Sequence, residues 1–182
     1  MKKALDVLQK GGLLIYPTDT IWGIGCDATN AVAVARIFKL KQRNDTKAMI
    51  CLVCDEQMLK HYVQHVPAAA YDLIDCCDRP TTIVYDEAVG LAKNLIAADG
   101  SIAIRVVQLG FAHELIRRFR RPIVSTSANI SGDAAPKNRD EISKAILEGV
   151  DYVVPLSDTT TAGKPSQIIQ LKNTGEVKIL RK

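Results

Sequence analysis

Apolar positions along this chain follow two alternating periods, one typical of helices and one typical of strands. Apolar residues spaced three and four apart predict helices, whereas short apolar runs bounded by turn residues predict strands. The predicted helices are 2–10, 31–40, 55–64 with Asp55 as its cap, 67–77, 112–119 and 140–147. The predicted strands are 13–16, 49–53, 82–85, 102–107, 123–125, 152–155, 167–171 and 176–180.

This mixture of strands and helices indicates an α/β fold. Asn173-Thr174-Gly175 separates the last two strands and is typical of a hairpin turn, so the sheet is expected to be mixed rather than purely parallel. The chain has 182 residues, of which 47% are hydrophobic, and contains no repeat or linker. We therefore expect a single domain over residues 1–182.

Charge and hydropathy narrow the functional classes only a little. The net charge of +4 suits a polyanionic ligand, but solubility alone explains it equally well. The sequence contains no apolar run of the ~18 residues that a membrane span needs. Residues 1–8 include Asp6 and lack a cleavage site, so we expect no signal peptide and a cytoplasmic location.

The five cysteines do not indicate a disulfide framework or a metal site. Cys51 and Cys54 form a C-x-x-C pattern, but they lie three apart in a predicted buried strand, so they face opposite sides of the sheet. We interpret both as structural. None of the three histidines (His61, His65 and His113) has metal-ligand spacing with another histidine, a cysteine or a carboxylate, and all three are interpreted as structural or surface residues.

Three polar segments interrupt the apolar pattern and are candidates for chemistry. Residues 17–27 (PTDTIWGIGCD) are predicted to form a loop, which is either a tight structural turn or a ligand-binding loop. The basic residues of 39–43 either stabilise the end of a helix dipole or hold phosphate. Residues 125–132 (STSANISG) are rich in hydroxyl and amide groups and follow a strand. No arrangement suggests a covalent nucleophile, so an enzyme built on these segments works by positioning and charge stabilisation.

Taken in order, these segments resemble the YrdC-type threonylcarbamoyl-AMP synthases. Residues 17–28, 41–43 and 125–132 carry the resemblance, and residues 101–105, 165–169 and 179–181 extend it over nearly the whole chain. The resemblance implies a twisted, open, mixed sheet flanked by helices, with a basic concave face. It also implies synthesis of threonylcarbamoyl-adenylate from L-threonine, bicarbonate and ATP, with Mg²⁺ accompanying the nucleotide. Other proteins then transfer the threonylcarbamoyl group to an adenosine of tRNA.

Matching the motifs residue by residue implies two groups of ligands. The ATP group comprises Lys41, Arg43, Thr82, Ser127, Asn129 and Arg181. The threonine group comprises Thr18, Arg105, Ser125 and Ser166. Lys41 and Arg43 are the implied catalytic residues, since they would offset charge on the phosphates and on the leaving pyrophosphate. We expect both to be exposed, so that replacing them changes activity far more than stability.

Several positions depart from the family pattern. Asn44, Arg79, Val107 and Gln167 stand where other residues are usual, which leaves the details of substrate binding open. The chain also resembles the short form of the family, without the extra C-terminal domain of longer members.

Two other functions remain open from the sequence. The arginine run at 117, 118, 120 and 121 is either a solvated surface or a contact for RNA, and would suit a non-catalytic module that binds double-stranded RNA or tRNA. A similar domain also carries out carbamoyl-adenylate chemistry in hydrogenase maturation, but inside a much longer chain.

Overall fold

The structure, a computed structural model, describes residues 1–42, 49–155 and 165–182. The helices are α1 (Lys2–Gln9), α2 (Ala31–Leu40), α3 (Glu56–Lys60), α4 (Ala68–Cys76), α5 (Gly110–Phe119) and α6 (Lys144–Glu148). The strands are β1 (Leu14–Pro17), β2 (Trp22–Gly25), β3 (Ile50–Val53), β4 (Thr81–Tyr85), β5 (Ile102–Val106), β6 (Ile123–Ser127), β7 (Tyr152–Val153), β8 (Gln167–Leu171) and β9 (Val177–Arg181). These elements confirm the predicted α/β fold. Among the described residues, no helix is long and apolar enough to cross a membrane.

Within the described residues, nine strands form one mixed sheet in the order β7-β1-β2-β6-β3-β5-β4-β8-β9. Three neighbouring pairs are parallel, namely β1 with β7, β3 with β5 and β4 with β8. The predicted terminal hairpin is confirmed, because β8 and β9 pair antiparallel and Gly175 adopts φ +88° in the turn between them.

Three sequence predictions were wrong in local detail. The helix predicted over 55–64 ends at Lys60, because Val63 forms a β-bridge with Ala88. The segment predicted as a loop at 17–27 contains β2, which pairs antiparallel with β1 through Ile15 and Ile24. Glycine has a low strand propensity, so the glycines of β2 argued against a strand. Gly25 is nevertheless needed at its position, because a Cβ there would lie 2.6 Å from a ring carbon of Tyr16. The helix predicted at 140–147 is divided into a 3₁₀ turn (Arg139–Glu141) and α6, since the backbone at 142 is extended.

The helices cover the two faces of the sheet unequally. On one face, strand residues such as Cys51 and Val124 pack with Val34 and Ile37 of α2 in the larger apolar core. On the other face, Leu52, Cys54 and others pack with α1 and α5 in a smaller core. Cys51 and Cys54 therefore lie in different cores, as their spacing predicted, and both are free thiols.

The smaller core covers only part of the second face of the sheet. Register places Leu52 beside Arg105 of β5, Ile50 beside Ser125 of β6, and Thr82 of β4 beside Ile168 of β8. Because neighbouring partners in register share a face, these side chains continue the face that α1 and α5 cover further along. This uncovered part of the sheet carries most of the polar residues that the motifs singled out.

Candidate functional site

A cavity of about 340 Å³ opens on the uncovered part of the sheet. Its apolar lining residues include Ile21, Ile50, Leu52 and Ile168. Its polar lining residues are Thr20, Arg105, Ser125, Thr126, Ser127, Ser166 and Arg181. Side chains from five separate sequence motifs therefore meet in one concave site, as is usual for small-molecule binding sites.

Arg105 is a buried cation in the wall of this cavity. Only 4% of the residue is exposed, and its Nη2 lies 2.9 Å from Oδ1 of Asp19. Nη1 donates a long hydrogen bond of 3.5 Å to the Thr20 hydroxyl, and the buried Nε has no hydrogen-bond partner. Burial lowers the pKa of Arg105 from its ordinary value, and the charge of Asp19 opposes that change. The guanidinium therefore has hydrogen-bonding capacity that the protein does not fully use.

The turn at 18–21 positions the Thr20 hydroxyl. Thr18 Oγ1 donates to the carbonyl of Ile21 at 2.8 Å and accepts the N–H groups of Thr20 and Ile21, each at 3.1 Å. It also shares a hydrogen bond of 2.8 Å with Thr20 Oγ1. Thr18 is buried and does not line the cavity, whereas Thr20 does. Sequence reasoning selected Thr18 and missed Thr20 and Asp19, although all three belong to the same T-D-T segment.

Gly23 leaves room between the two sides of the site. A Cβ at this position would lie 3.2 Å from Ser125 Oγ, 3.4 Å from the Thr126 carbonyl and 3.5 Å from a methyl carbon of Thr18. Behind it, burial raises the pKa of Tyr16, which keeps the phenol protonated and able to donate to the Val124 carbonyl at 3.4 Å. Because Gly23 has no side chain, the backbone of β2 lies close to Ser125.

Ser166 connects the end of the chain to the centre of the sheet. Its hydroxyl shares a hydrogen bond of 2.8 Å with Thr82 Oγ1, which is fully buried behind it. Arg181 donates to the Ser166 carbonyl from Nε at 3.0 Å and from Nη2 at 2.7 Å. Partial burial lowers the pKa of Arg181, and the positive charge of Arg105 adds to that shift. Two guanidinium groups are therefore close enough to interact across one cavity.

Lys41 contradicts the expectation that it is exposed. It follows α2 and is 2% exposed, and its Nζ donates to the carbonyls of Ser127 and Asn129, both at 2.5 Å. Its own carbonyl accepts the N–H of Ser131 at 2.9 Å. The polar loop after β6 folds over the lysine, and for this reason its ammonium group is buried. Lys41 therefore stabilises that loop, and replacing it will affect stability as well as activity.

Only some of the other implied ligands line the cavity. Asn129 does not line the cavity. It donates from Nδ2 to the carbonyls of Asp133 at 2.7 Å and Ile130 at 3.0 Å, while its buried Oδ1 has no partner. Ser125 and Ser127 line the cavity directly. Arg43 lies outside the described residues.

The departures from the family pattern also have defined places. Gln167 donates from Nε2 to Thr81 Oγ1 at 2.6 Å, and Val107 is packed in the core beneath α5. Arg79 lines a second cavity of about 250 Å³, which Asp19 also lines. Asn44 lies outside the described residues.

The arginine run on α5 is largely engaged. Arg117 and Arg118 pair with Glu114 at 2.9 and 2.6 Å, and Arg121 pairs with the buried Asp27 at 2.6 Å. Among residues 1–42, 49–155 and 165–182, no group of three histidine, cysteine or acidic side chains could hold a metal ion.

Comparison with known proteins gives one consistent result. The Sua5_yciO_yrdC family model, described as "Telomere recombination", matches residues 6–182. A threonylcarbamoyl-AMP synthase of Hahella chejuensis is 33% identical over 169 residues, which covers 92% of this chain and 91% of that protein. The threonylcarbamoyl-AMP synthase of Idiomarina loihiensis is 31% identical over 167 residues, covering 90% and 89%.

The solved structures agree with this result on the fold. A structure of Sua5 from P. abyssi superposes with a TM-score of 0.90 at 25% identity, over 99% of this chain and 55% of the other. A second Sua5 structure, complexed with L-threonine, gives a TM-score of 0.85 at 24% identity. The chain thus spans about half the length of these Sua5 chains but nearly all of the curated relatives. These matches confirm the twisted, open, mixed sheet that the resemblance implied.

Proposed function

The chain belongs to the Sua5/YciO/YrdC family, and on that premise we propose that it makes L-threonylcarbamoyl-adenylate from L-threonine, bicarbonate and ATP, releasing pyrophosphate. One observation carries the proposal. A single cavity collects Arg105, Ser125 and Ser127 of β6, Ser166 and Arg181, although these segments are far apart in sequence.

The charges of the cavity suit the amino acid. Arg105 and Arg181 supply two positive charges, while the carboxylate that contacts Arg105 is Asp19. We assign Arg105 to the threonine carboxylate, because a guanidinium can hold a carboxylate in a fixed orientation. Ser125, Ser166 and the turn organised by Thr18 complete this side of the site, and Thr20 joins them as a lining residue.

The nucleotide is assigned to the side of the cavity formed by the loop after β6. Ser127 and Arg181 line the cavity there, and Thr82 supports Ser166 from behind. Lys41 and Asn129 act through the conformation of the loop, and Arg43 is assigned to the phosphates by its motif alone. Magnesium enters with the nucleotide, because Mg²⁺ in such sites is held largely by the substrate phosphates and water.

The reaction needs no protein nucleophile. The amine of threonine condenses with bicarbonate to give the carbamate and water. One oxygen of the carbamate then attacks the α-phosphorus of ATP, and the bond to the bridging oxygen breaks as pyrophosphate leaves. The protein orients the amino acid through Arg105 and offsets charge on the phosphates through its cations. The product then serves tRNA modification by downstream transferase proteins in the cytoplasm.

The experiment is pyrophosphate release by the purified protein with ATP and Mg²⁺. Release should require both L-threonine and bicarbonate, and L-serine should replace L-threonine poorly. Release that is independent of the amino acid, or its absence from folded protein that binds ATP, contradicts the proposal. Salt-dependent binding of double-stranded RNA without turnover would instead favour the RNA-binding module, although Glu114, which Arg117 and Arg118 share, and Asp27, which pairs with Arg121, reduce the positive charge of that surface.

A further inference from the structure

Asp19 contacts Arg105 from outside the cavity that Arg105 lines. Its side chain is 33% exposed and lines the second cavity, together with Asp78, Arg79 and others, but it does not line the first. The ion pair therefore forms part of the wall between the two cavities. A ligand in the first cavity can reach Arg105 but is separated from Asp19 by the guanidinium.

The three nitrogen atoms of the Arg105 guanidinium differ in how strongly the protein holds them. Nη2 is fixed by Asp19 at 2.9 Å, whereas the bond from Nη1 to Thr20 is long, at 3.5 Å, and Nε has no partner. The contact with Asp19 is therefore the one that sets the plane of the group. Because a guanidinium is planar and rigid, fixing one nitrogen restricts where the other donors can point.

The charge balance of the wall also depends on Asp19. Burial disfavours the charged form of Arg105, and Asp19 is the first opposing influence on its pKa. Arg181 contributes a second positive charge that acts on the same region. With one carboxylate facing two guanidinium groups, the region keeps one positive charge for a further carboxylate.

We propose that Asp19 is a positioning residue of the amino-acid site, which holds Arg105 so that its remaining donors meet the carboxylate of the incoming amino acid. The identity of that amino acid as L-threonine rests on the proposed function. Asp19 touches neither substrate and acts through Arg105 alone. Its effect should therefore appear in amino-acid binding and leave the chemical step largely unchanged.

Removing the charge of Asp19 separates this role from a purely electrostatic one. Asp19→Asn makes the cavity more positive, which by itself would tighten the binding of an anion. If Asp19 instead competed with the substrate for Arg105, the same variant would also bind L-threonine more tightly. Positioning predicts the opposite sign, because a neutral amide oxygen holds the guanidinium more weakly than a carboxylate does.

The test is calorimetric titration of the whole protein with L-threonine, followed by steady-state kinetics. We expect Asp19→Asn to raise the Kd and the KM for L-threonine about tenfold, because the charge-assisted contact that fixes Arg105 becomes a weaker neutral one, with kcat nearly unchanged. Asp78→Asn is the matched control, since Asp78 is exposed and lines the same second cavity. It removes the same charge and should change the Kd less than about twofold.

Two further variants keep the result interpretable. In an Arg105→Lys background, Asp19→Asn should add little, because the two residues act as one unit. Asp19→Glu retains the charge with a longer side chain and should weaken L-threonine binding less than Asp19→Asn does, and it serves as the test if Asp19→Asn does not fold.

Three results overturn the inference. They are tighter or unchanged L-threonine binding in the Asp19 variants, equal effects of Asp19→Asn and Asp78→Asn, and wild-type protein that does not bind L-threonine. Wild-type protein that binds L-threonine but releases no pyrophosphate overturns only the proposed function, and the Asp19 comparison can still be made by calorimetry.

Discussion

The ion pair of Arg105 in the cavity wall and the arginine cluster on α5 have similar geometry in different surroundings. Arg105 lies 2.9 Å from Asp19, and Arg117 lies 2.9 Å from Glu114. The side chain of Arg105 is 4% exposed, however, whereas that of Arg117 is 59% exposed. Water screens the surface pair and competes for its hydrogen bonds, so distance alone does not measure what an ion pair contributes.

The difference shows where an arginine can act as a recognition element. On α5, water can replace any partner that is lost, and the contribution of each pair is small. In the cavity wall, water cannot readily replace a lost partner, so a buried donor that loses its contact stays unsatisfied. Lys41 is a third case, because it is as buried as Arg105 and donates to the neutral carbonyls of Ser127 and Asn129.

The largest expected effect is on activity, from replacing the buried arginine. Arg105→Lys keeps the charge but loses the planar fork, so we expect kcat/KM for L-threonine to fall about 30- to 100-fold, for a loss of about 2–3 kcal/mol. The same substitution at Arg117 is the matched control and should leave pyrophosphate release within about twofold. Equal activities of the two variants would remove the distinction between the buried and the exposed arginine.

The next effect is on stability, from replacing the buried lysine. Lys41→Met keeps a long side chain but leaves the carbonyls of Ser127 and Asn129 without this donor, which should lower the free energy of unfolding by about 2–4 kcal/mol. Lys39 is exposed near the end of α2, and Lys39→Met should change that free energy by less than about 0.5 kcal/mol. Urea unfolding of both variants checks this, and a Lys41 variant as stable as the wild type would refute the structural role.

A smaller effect is expected behind Ser166. Thr82→Val removes the hydroxyl that bonds to Ser166 while nearly preserving shape, so we expect a loss of about 1 kcal/mol and a thermal midpoint lower by about 2–4 °C. Thr174→Val, in the exposed hairpin turn, provides the control. If calorimetry gives the same thermal midpoint for the two variants, the Thr82–Ser166 contact makes no measurable contribution to stability.

The smallest effect concerns the surface cluster and its dependence on pH. Hydrogen bonds from Arg117 and then Arg118 lower the pKa of Glu114 from 4.5 to about 2 in the folded state. A carboxyl with a lowered folded pKa contributes stability above its unfolded pKa and loses it as the pH falls towards the folded one. We expect the wild type to lose a little thermal stability as the pH falls from about 4.5 to 2, and we expect Glu114→Gln not to show this loss. The difference between the two proteins should be clearest at low salt. A difference between variant and wild type that is independent of pH would argue against this pairing.

Much of the fold could be predicted from the sequence because its signals are local. The period of apolar residues and the Asn30 side chain, which accepts the N–H groups of Val32 and Ala33, define α2 at the predicted bounds. The turn at 173–175 defines the terminal hairpin, and the spacing of Cys51 and Cys54 separates them between two cores. Strand β2 was missed because its glycines are explained by close contacts with Tyr16 on the paired strand β1 and with Ser125, which is distant in sequence.

The α/β pattern, the order of the motifs and the residues that resemble a threonylcarbamoyl-AMP synthase site could all be identified from the sequence. Which of these residues share a cavity could be seen only in the folded chain, since strand register and not chain order brings Arg105, Ser125 and Ser166 together. The tertiary structure also decided that Lys41 is buried and that Asp19 holds Arg105. Burial and partner choice depend on segments that fold over one another, and this information is not contained in any local stretch of the chain.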